Sequence, residues 1–528
     1  MGRAKRGKRR RVKDPQTMPF SSLRAFVEAL RKAGELHTIA AHVDPYLEVA
    51  EITDRIVKAG GPALLFTHVG SSPFPVLTNQ FGTHRRMAIA FDASDLDEVG
   101  ERVRQLVNVV PPGSSLFDKV GTLLRLRPLA NAAPKTVRSA PVHDVVEHDV
   151  DLTRLPVLTT WPLDAGPFIT LPLVITKDPQ TGRPNCGMYR MQVYDQRETA
   201  MHWQRHKQGR AHAAGWGDRV PVAVAIGTEP VLTYAATAPL PPILDEFAFA
   251  GLLRGRPVEL VAAQTVDLLV PAEAEFVLEG YVDNTDLRVE GPFGDHTGVY
   301  SLADRFPTFH VTCMTHRREP IYPATVVGKP PMEDAWLGKA TERIFLPLLQ
   351  LVLPEVVDMN LPVEGGFHNL AIVSIRKAYP GHAKKVMSAL WGLGHMMMLT
   401  RVLVVVDADV DVQDARTVAW FVLNNLAPDR DLVMMPGPVD DLDHASYDIA
   451  YGTKIGIDAT RKTAAEGYTR EWPPDMVMDP NVRVHVSKRW KEYGLERLGS
   501  ALHADDWSGQ GPTALERLLR DIERLGNL

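Results

Sequence analysis

Glu290 and Asp295 stand five residues apart in the segment Glu290-Gly291-Pro292-Phe293-Gly294-Asp295-His296-Thr297-Gly298. Three glycines and a proline rule out a regular helix there. The segment reads as a tight, shaped turn that presents Glu290, Asp295 and His296 to a common space. Titratable groups on a rigid turn are suited to proton transfer. A solvated surface turn has the same composition, so the decision falls to the other polar clusters of the chain.

Three such clusters lie upstream. Asn185-Cys186-Gly187-Met188-Tyr189-Arg190 opens a candidate strand, Gly187–Tyr194. A guanidinium among apolar neighbours needs an acid partner, and Glu290 or Asp295 could supply it. His202-Trp203-Gln204-Arg205-His206-Lys207 carries two histidines four apart. On a helix they would share a face as metal ligands, although such a pair is a weak signal by itself. Leu244-Asp245-Glu246-Phe247-Ala248-Phe249 sets a carboxylate beside two phenylalanines. That is either an acid held against an apolar surface or an ordinary helix-surface acid. Asparagine, histidine and carboxylate together suit a divalent cation such as Mn²⁺ or Mg²⁺. Phosphate or water would complete its shell, and Lys207 and Arg190 suit an anion. Residue types and spacing thus point to a phosphate-bearing cofactor held through a metal, and name neither the cofactor nor the reaction. Neither a Walker loop nor a GxGxxG after a strand is present, which removes the commonest NTP and NAD readings.

These groups need a scaffold. At 528 residues the chain exceeds one hydrophobic core, so about three domains are expected. Hydrophobic residues at 45% and charged residues at 23% are ordinary for a globular protein. The net charge of −5 argues neither for nor against nucleic acid, and no such partner is expected. The basic run from Arg3 to Lys13 reads as a disordered, solvated tail over 1–17. Two cysteines, Cys186 and Cys313, exclude a disulfide scaffold and a thiolate zinc site. No apolar run reaches transmembrane length, so a cytoplasmic protein is the default.

Apolar spacing predicts helices beginning at Ser21-Ser22, over Leu47–Lys58 and over Leu96–Val107, with short strands at Ala63–Phe66 and Val76–Leu77. That is a small α/β domain over 18–126, followed by a Pro- and Ala-rich connector from Arg127 to Pro141. Residues 142–330 are strand-rich: Ile169–Thr176, Gly187–Tyr194, Val220–Ile226, Val258–Thr265, Glu275–Tyr281 and Phe309–Met314 read as a barrel-like sheet. Residues 331–498 alternate helix and strand, the pattern of a βαβ domain. The Met-rich helix around Trp391–Leu399 reads as core. A loop and an amphipathic helix, Pro512–Leu525, close the chain within 499–528 and could join subunits or dock on their own chain. The fold class is therefore α/β, in the α+β multidomain sense.

At this point the chain resembles the UbiD family of reversible (de)carboxylases, which use prenylated FMN. The resemblance spans nearly all of residues 18–498 and rests on separated blocks. These are Gly34-Glu35-Leu36 with Glu51-Ile52, Gly61 to Phe66, Asp151-Leu152 with Leu155-Pro156, Asn185 to Arg190, Glu246 to Gly251, Glu290 to Gly298, and Lys454 to Thr460. It implies a middle domain resembling a flavin-reductase-like split β-barrel. It also implies that Asn185, His206 and Glu246 hold Mn²⁺ at the cofactor phosphate, with K⁺ often nearby. Met188, Tyr189 and Arg190 would line the flavin, as would His202, Trp203, Gln204, Lys207 and Gln208. Residues 202, 207 and 208 depart from the ubiquinone-pathway pattern, which tends to have Arg at 202 and Arg-Gly at 207–208.

By the same resemblance Asp295 is the proton donor; it must be protonated at the right moment, which burial would favour. Glu290 and Arg190 are its partners, and Arg190 orients the substrate carboxylate. Aspartate at 295 resembles the branch acting on hydroxyaryl carboxylates. The implied activity is non-oxidative decarboxylation of an aromatic acid, in menaquinone or ubiquinone biosynthesis. Aromatic catabolism or detoxification, a carboxylase run in reverse, and a non-catalytic flavin-binding protein are the rival readings. The resemblance further implies a prenyl-flavin synthase as cofactor supplier and a homo-oligomer, dimer or hexamer. Arg401 is a candidate phosphate contact, and His296 is given no catalytic role.

Overall fold

The computed structural model describes residues 20–107, 132–204, 207–241, 244–470, 472–473, 476 and 478–494. The basic tail, most of the connector, His206 and the terminal amphipathic helix lie outside the described residues. The chain divides into two compact units. One runs to Leu348 and adds Leu393–Met398 and Asp440–Ala450; the other comprises Leu349–Gly392, Leu399–Val439 and the chain from Tyr451 onward.

In the first unit the Leu23–Lys32 helix is capped by Ser22, whose hydroxyl accepts from Ala25 N–H at 3.4 Å. It buries Leu23, Phe26, Val27 and Leu30, the stripe its spacing predicts. Strands Leu36–Val43, Ala63–Val69 and Val76–Thr78 form a small sheet that Tyr322–Pro323 completes. Residues some 250 positions later thus finish the N-terminal sheet.

The larger sheet runs in the order Glu198–Ala200, Asp304–His316, Phe276–Glu290, Arg219–Ile226, Pro172–Lys177 and Pro184–Met188, with Val145–Glu147 also paired to Asp304–His316. Neighbours are antiparallel. The path has two different ends, so among the described residues the expected barrel is an open sheet. Period-two alternation divides the Arg219–Ile226 strand between two cores. Val220, Val222, Val224 and Ile226 pack into one cluster with Leu278 and Val282. Ala223 and Ala225 face the other, with Tyr234, Phe247 and Phe249. The central strands are longer than their apolar runs suggest: Phe276–Glu290 has 15 residues and Asp304–His316 has 13. From Asn284 to Val289 the strand alternates half-buried and exposed positions, so hydrophobicity stops marking it while backbone pairing continues as far as Glu290↔Asp304.

The second unit is built on a five-stranded sheet, ordered Val356–Asn360, Leu370–Ile375, Val402–Asp407, Tyr451–Asp458, Leu432–Pro438. Its three central strands are parallel and its edges antiparallel. The helix His382–Trp391 buries Val386, Met387, Leu390 and Trp391. It is shorter than its apolar run, because the chain turns at Gly392. A Cβ on Gly456 would lie 2.5 Å from the Met387 sulfur, so glycine lets helix and sheet approach closely. Asp334–Val352 forms a long helix that begins in the first unit. No helix among the described residues is long and apolar enough to cross a membrane.

Candidate active site

Arg190 does not sit inside a continuous strand. The strand Pro184–Met188 pairs with Pro172–Lys177, and a second short strand, Met191–Gln192, pairs with Phe168–Ile169. Tyr189 and Arg190 occupy the break between them. The guanidinium thereby leaves the sheet.

Its partners come from the end of the 15-residue strand and the hairpin that follows. Glu290 is the last strand residue. Gly291 then takes φ 82°, where a side chain would be strained, and Phe293–Gly294 pairs with Tyr300–Ser301. A Cβ on Gly294 would meet Trp161 at 2.1 Å, so only glycine lets the hairpin seat on that ring. The expected isolated turn is therefore a strand end joined to a small hairpin, and Asp295 lies at its tip.

Arg190 Nε donates to Glu290 Oε1 at 2.8 Å, and Nη2 donates to Ser301 Oγ at 2.9 Å and Glu290 Oε2 at 3.3 Å. Nη1 donates to Asp295 Oδ2. The guanidinium lies over the Phe293 ring, 4.8 Å from its centroid. Glu290 is fully buried and Asp295 nearly so, at 7% exposed. Both of the acids that could have served Arg190 do so.

Two histidines complete the network. His202 Nδ1 is 3.1 Å from Glu290 Oε2, and its ring packs on Phe306 at 4.3 Å. Burial pushes the Glu290 carboxyl up, but His202 and Arg190 outweigh it and hold it below the usual range. His296 Nδ1 lies 2.8 Å from Asp295 Oδ1, and the His296 backbone N–H donates to the same oxygen at 2.7 Å. Burial pushes Asp295 up as well, yet His296 and Arg190 hold it well below the usual carboxylate range. His296 is pushed up to about 9: burial opposes its charge, and Asp295, Asp334 and Asp440 more than offset that.

Burial favours the protonated form of Asp295, as expected, but the charges of His296 and Arg190 outweigh it. His296, given no catalytic role, touches the carboxylate directly. Its adjacency to Asp295 was the available signal. Adjacent residues often point apart, and only the hairpin geometry brings these two together. Ser301, Phe293 and Gln192, which accepts from Gly291 N–H at 2.9 Å, carried no sequence signal.

A second polar cluster flanks the start of the same segment. Glu246 opens the helix Glu246–Arg254, N-capped by Asp245, and its Oε2 accepts from Cys186 N–H at 2.8 Å. Asn185 is 3% exposed, and its Nδ2 has no hydrogen-bond partner among the described residues. The same holds for Trp203 Nε1, on a ring packed edge-on against Tyr189 at 5.4 Å. The Tyr189 hydroxyl accepts from Gly209 N–H at 3.2 Å. Burial lifts Glu246 to about 7, with Asp245 adding to the rise and Lys207 opposing it. Burial lowers Lys207, against the pull of Asp440 and Glu246.

His202 lies in no helix. Residues 201–204 are in no regular element, Lys207 is the N-cap and the helix begins at Gln208. His206 lies outside the described residues, and no group of three His, Cys, Asp or Glu side chains forms a metal cluster among those described. Gln204 and Gln208 flank the N-cap, and Met188 packs at the edge of the core. A buried carboxylate without a full counter-charge, beside unpartnered amide and indole donors, fits a divalent cation and an acceptor-rich group such as a phosphate or flavin.

Comparison with known proteins agrees with this arrangement. Three profiles of the 3-octaprenyl-4-hydroxybenzoate carboxy-lyase family match: its N-terminal domain over residues 27–103, its Rift-related domain over 135–330 and its C-terminal domain over 335–459. An uncharacterized protein of Archaeoglobus fulgidus is 52% identical over 480 residues, covering 90% of this chain and 99% of that protein. One from Aquifex aeolicus is 47% identical, with 90% and 99% covered. Among solved structures, vanillic acid decarboxylase from Sedimentibacter hydroxybenzoicus in its closed form matches with TM-score 0.78 and 27% identity, over 92% of this chain and 100% of that one. An evolved dimeric form of the UbiD-class enzyme HmfF from Pelotomaculum thermopropionicum, in complex with prFMN, matches with TM-score 0.71 and 28% identity, over 88% and 98%. With all three of the family's domains matched in order along one chain, this protein belongs to the UbiD family of carboxy-lyases.

Proposed function

We propose that this protein decarboxylates a hydroxyaryl or polycyclic aromatic acid with prenylated FMN, and that the reaction serves quinone biosynthesis in the cytoplasm. The observation that carries the reading is the buried bridge from Glu290 through Arg190 to Asp295. A binding protein has no need to bury two carboxylates on one guanidinium. Bound prenylated FMN would supply the electron sink for the pair left when CO₂ departs.

The chain's own residues do the rest. Arg190 offers a planar, permanently charged fork to the substrate carboxylate. Glu290 and His202 hold that fork in place from behind, so His202 acts as a Glu290 partner rather than a flavin contact. Asp295 gives a proton to the carbon that loses CO₂. Asn185, Glu246 and His206 would hold Mn²⁺, with K⁺ close by. Met188, Tyr189, Trp203, Gln204, Lys207 and Gln208 would contact the cofactor. Aspartate at 295 supports a hydroxyaryl acid, and the Lys454–Lys462 block, which resembles menaquinone-pathway members, supports the pathway.

A second reading keeps the chemistry and changes its purpose. The likeness to vanillic acid decarboxylase favours breakdown of a phenolic acid. In either case a prenyl-flavin synthase supplies the cofactor and the subunits assemble as a homo-oligomer. The test is co-expression with a prenyl-flavin synthase, a visible spectrum, a metal assay, and a screen of monocyclic and polycyclic aryl acids for CO₂ release. Turnover of polycyclic acids supports the quinone route, and turnover of vanillic acid supports the catabolic one. A protein that takes up neither modified flavin nor Mn²⁺ overturns the reading.

A further inference from the structure

Decarboxylation consumes a proton. The carbon–carboxylate bond breaks, CO₂ leaves, and a C–H bond forms in its place. Asp295 loses its O–H in forming that bond and must gain another before the next turnover. Yet Asp295 rests as a carboxylate, with Oδ2 engaged by Arg190 and Oδ1 by His296.

We propose that His296 loads Asp295 with its proton across their direct contact. This rests on the decarboxylase reading and deepens it. The step is balanced. The His296 Nδ1–H bond breaks and an Asp295 Oδ1–H bond forms across 2.8 Å. The neutral imidazole then regains a proton from solvent water. The His296 side chain, at 15% exposed, is the more open of the pair, with Asp295 at 10%. His296 is thus a positioning residue that acts through Asp295.

Asp334 opens the Asp334–Val352 helix, and its Oδ1 accepts from Ala335 N–H at 2.9 Å. Its Oδ2 is buried with no hydrogen-bond partner among the described residues. Burial, Asp295 and Glu333 push this acid up to about 7, and His296 is the side chain that pulls it back. The charges around His296 come from several elements. Asp295 and Asp440 add to its basicity, and Arg190 is paired with the same Asp295. Lys329 backs the turn at Gly298, its Cα 3.0 Å from where a Cβ would stand.

The test uses the full-length protein, with and without prenylated FMN, and vanillic acid as probe. Histidine-selective NMR, with His296→Asn identifying the resonance, reads the charge directly. His296 should titrate near 9, and clearly lower in Asp334→Asn. A midpoint at the ordinary value of about 6.5 overturns the proposal whatever the activity. In the loaded enzyme, His296→Asn keeps a donor to Asp295 but carries no mobile proton. It should retain the flavin spectrum, lose about 10²-fold in kcat, and lose the alkaline limb of the pH profile. Asp334→Asn should retain kcat at low pH and shift that limb downward. If Asp295→Asn turns over normally, the decarboxylase reading falls. If Asp295→Asn is inactive while His296→Asn matches wild type in kcat and pH profile, the proton-loading role alone falls. Should vanillic acid not turn over, the titration decides.

Discussion

Two buried polar clusters stand at opposite ends of the segment Asn185–Arg190, and they differ in how their charges are settled. At the Arg190 end every charge has a partner. Glu290 meets Arg190 and His202, and Asp295 meets Arg190 and His296. At the Asn185 end Glu246 accepts a backbone N–H but has no ion pair at contact distance among the described residues, and the neighbouring amide and indole donors are unpartnered. A compensated cluster is preorganised and can move protons without rearranging. An uncompensated one is costly to bury and lowers its energy by taking up a ligand. The contrast assigns proton chemistry to one end and cofactor retention to the other.

The largest expected effect breaks the first end chemically. Asp295→Asn should reduce turnover by about 10³-fold or more while leaving the flavin spectrum intact. Normal turnover would falsify the proton-donor assignment. Next comes Arg190→Gln, which strands two buried carboxylates. Urea denaturation should report a loss of about 3–5 kcal/mol. A variant as stable as wild type would mean the network is not what holds the hairpin.

The second end should respond with the opposite sign. In metal-free protein above pH 7, Glu246→Gln removes an uncompensated buried charge and keeps an acceptor for Cys186 N–H. A gain of about 1–2 kcal/mol is expected. Added Mn²⁺ should raise the Tm of wild type and leave that of the variant unchanged; an equal rise in both would remove Glu246 from the metal set.

A further effect concerns pH. His296 has a raised value, so its contribution to stability is complete below about 6.5 and is lost as pH rises through about 9. Asp295 has a lowered value, so its contribution is present above about 3.9 and is lost as pH falls further. Wild type should therefore lose up to about 3 kcal/mol between pH 6 and pH 9.5, and His296→Asn should not. Parallel curves for the two proteins would place the charge elsewhere.

Much of the first end was legible from sequence, because a cation among apolar residues demands acids and Glu290 and Asp295 were the acids on a rigid turn. The strand break at Tyr189-Arg190 was not, since apolar flanks continue through it. The extension of the central strand to Glu290 was also hidden. Its exposed positions alternate without hydrophobic contrast, so pairing with Asp304–Arg305 rather than burial keeps it extended. The spacing of the two histidines could not mark the helix start, which lies at Gln208.

Composition, period and motif order by themselves determined the fold class, the family resemblance and the pairing of Arg190 with an acid. They could do so because burial rules and chain-local spacing act on each residue independently. Only the tertiary structure decided where the proton rests. Arg190, Asp295 and Asp334 are far apart in sequence, and Asp334 lies on another element. Whether the proton sits on His296 or on Asp295 depends on the sum of the surrounding fields in one space, a quantity that exists only once the hairpin, the broken strand and the helix have come together.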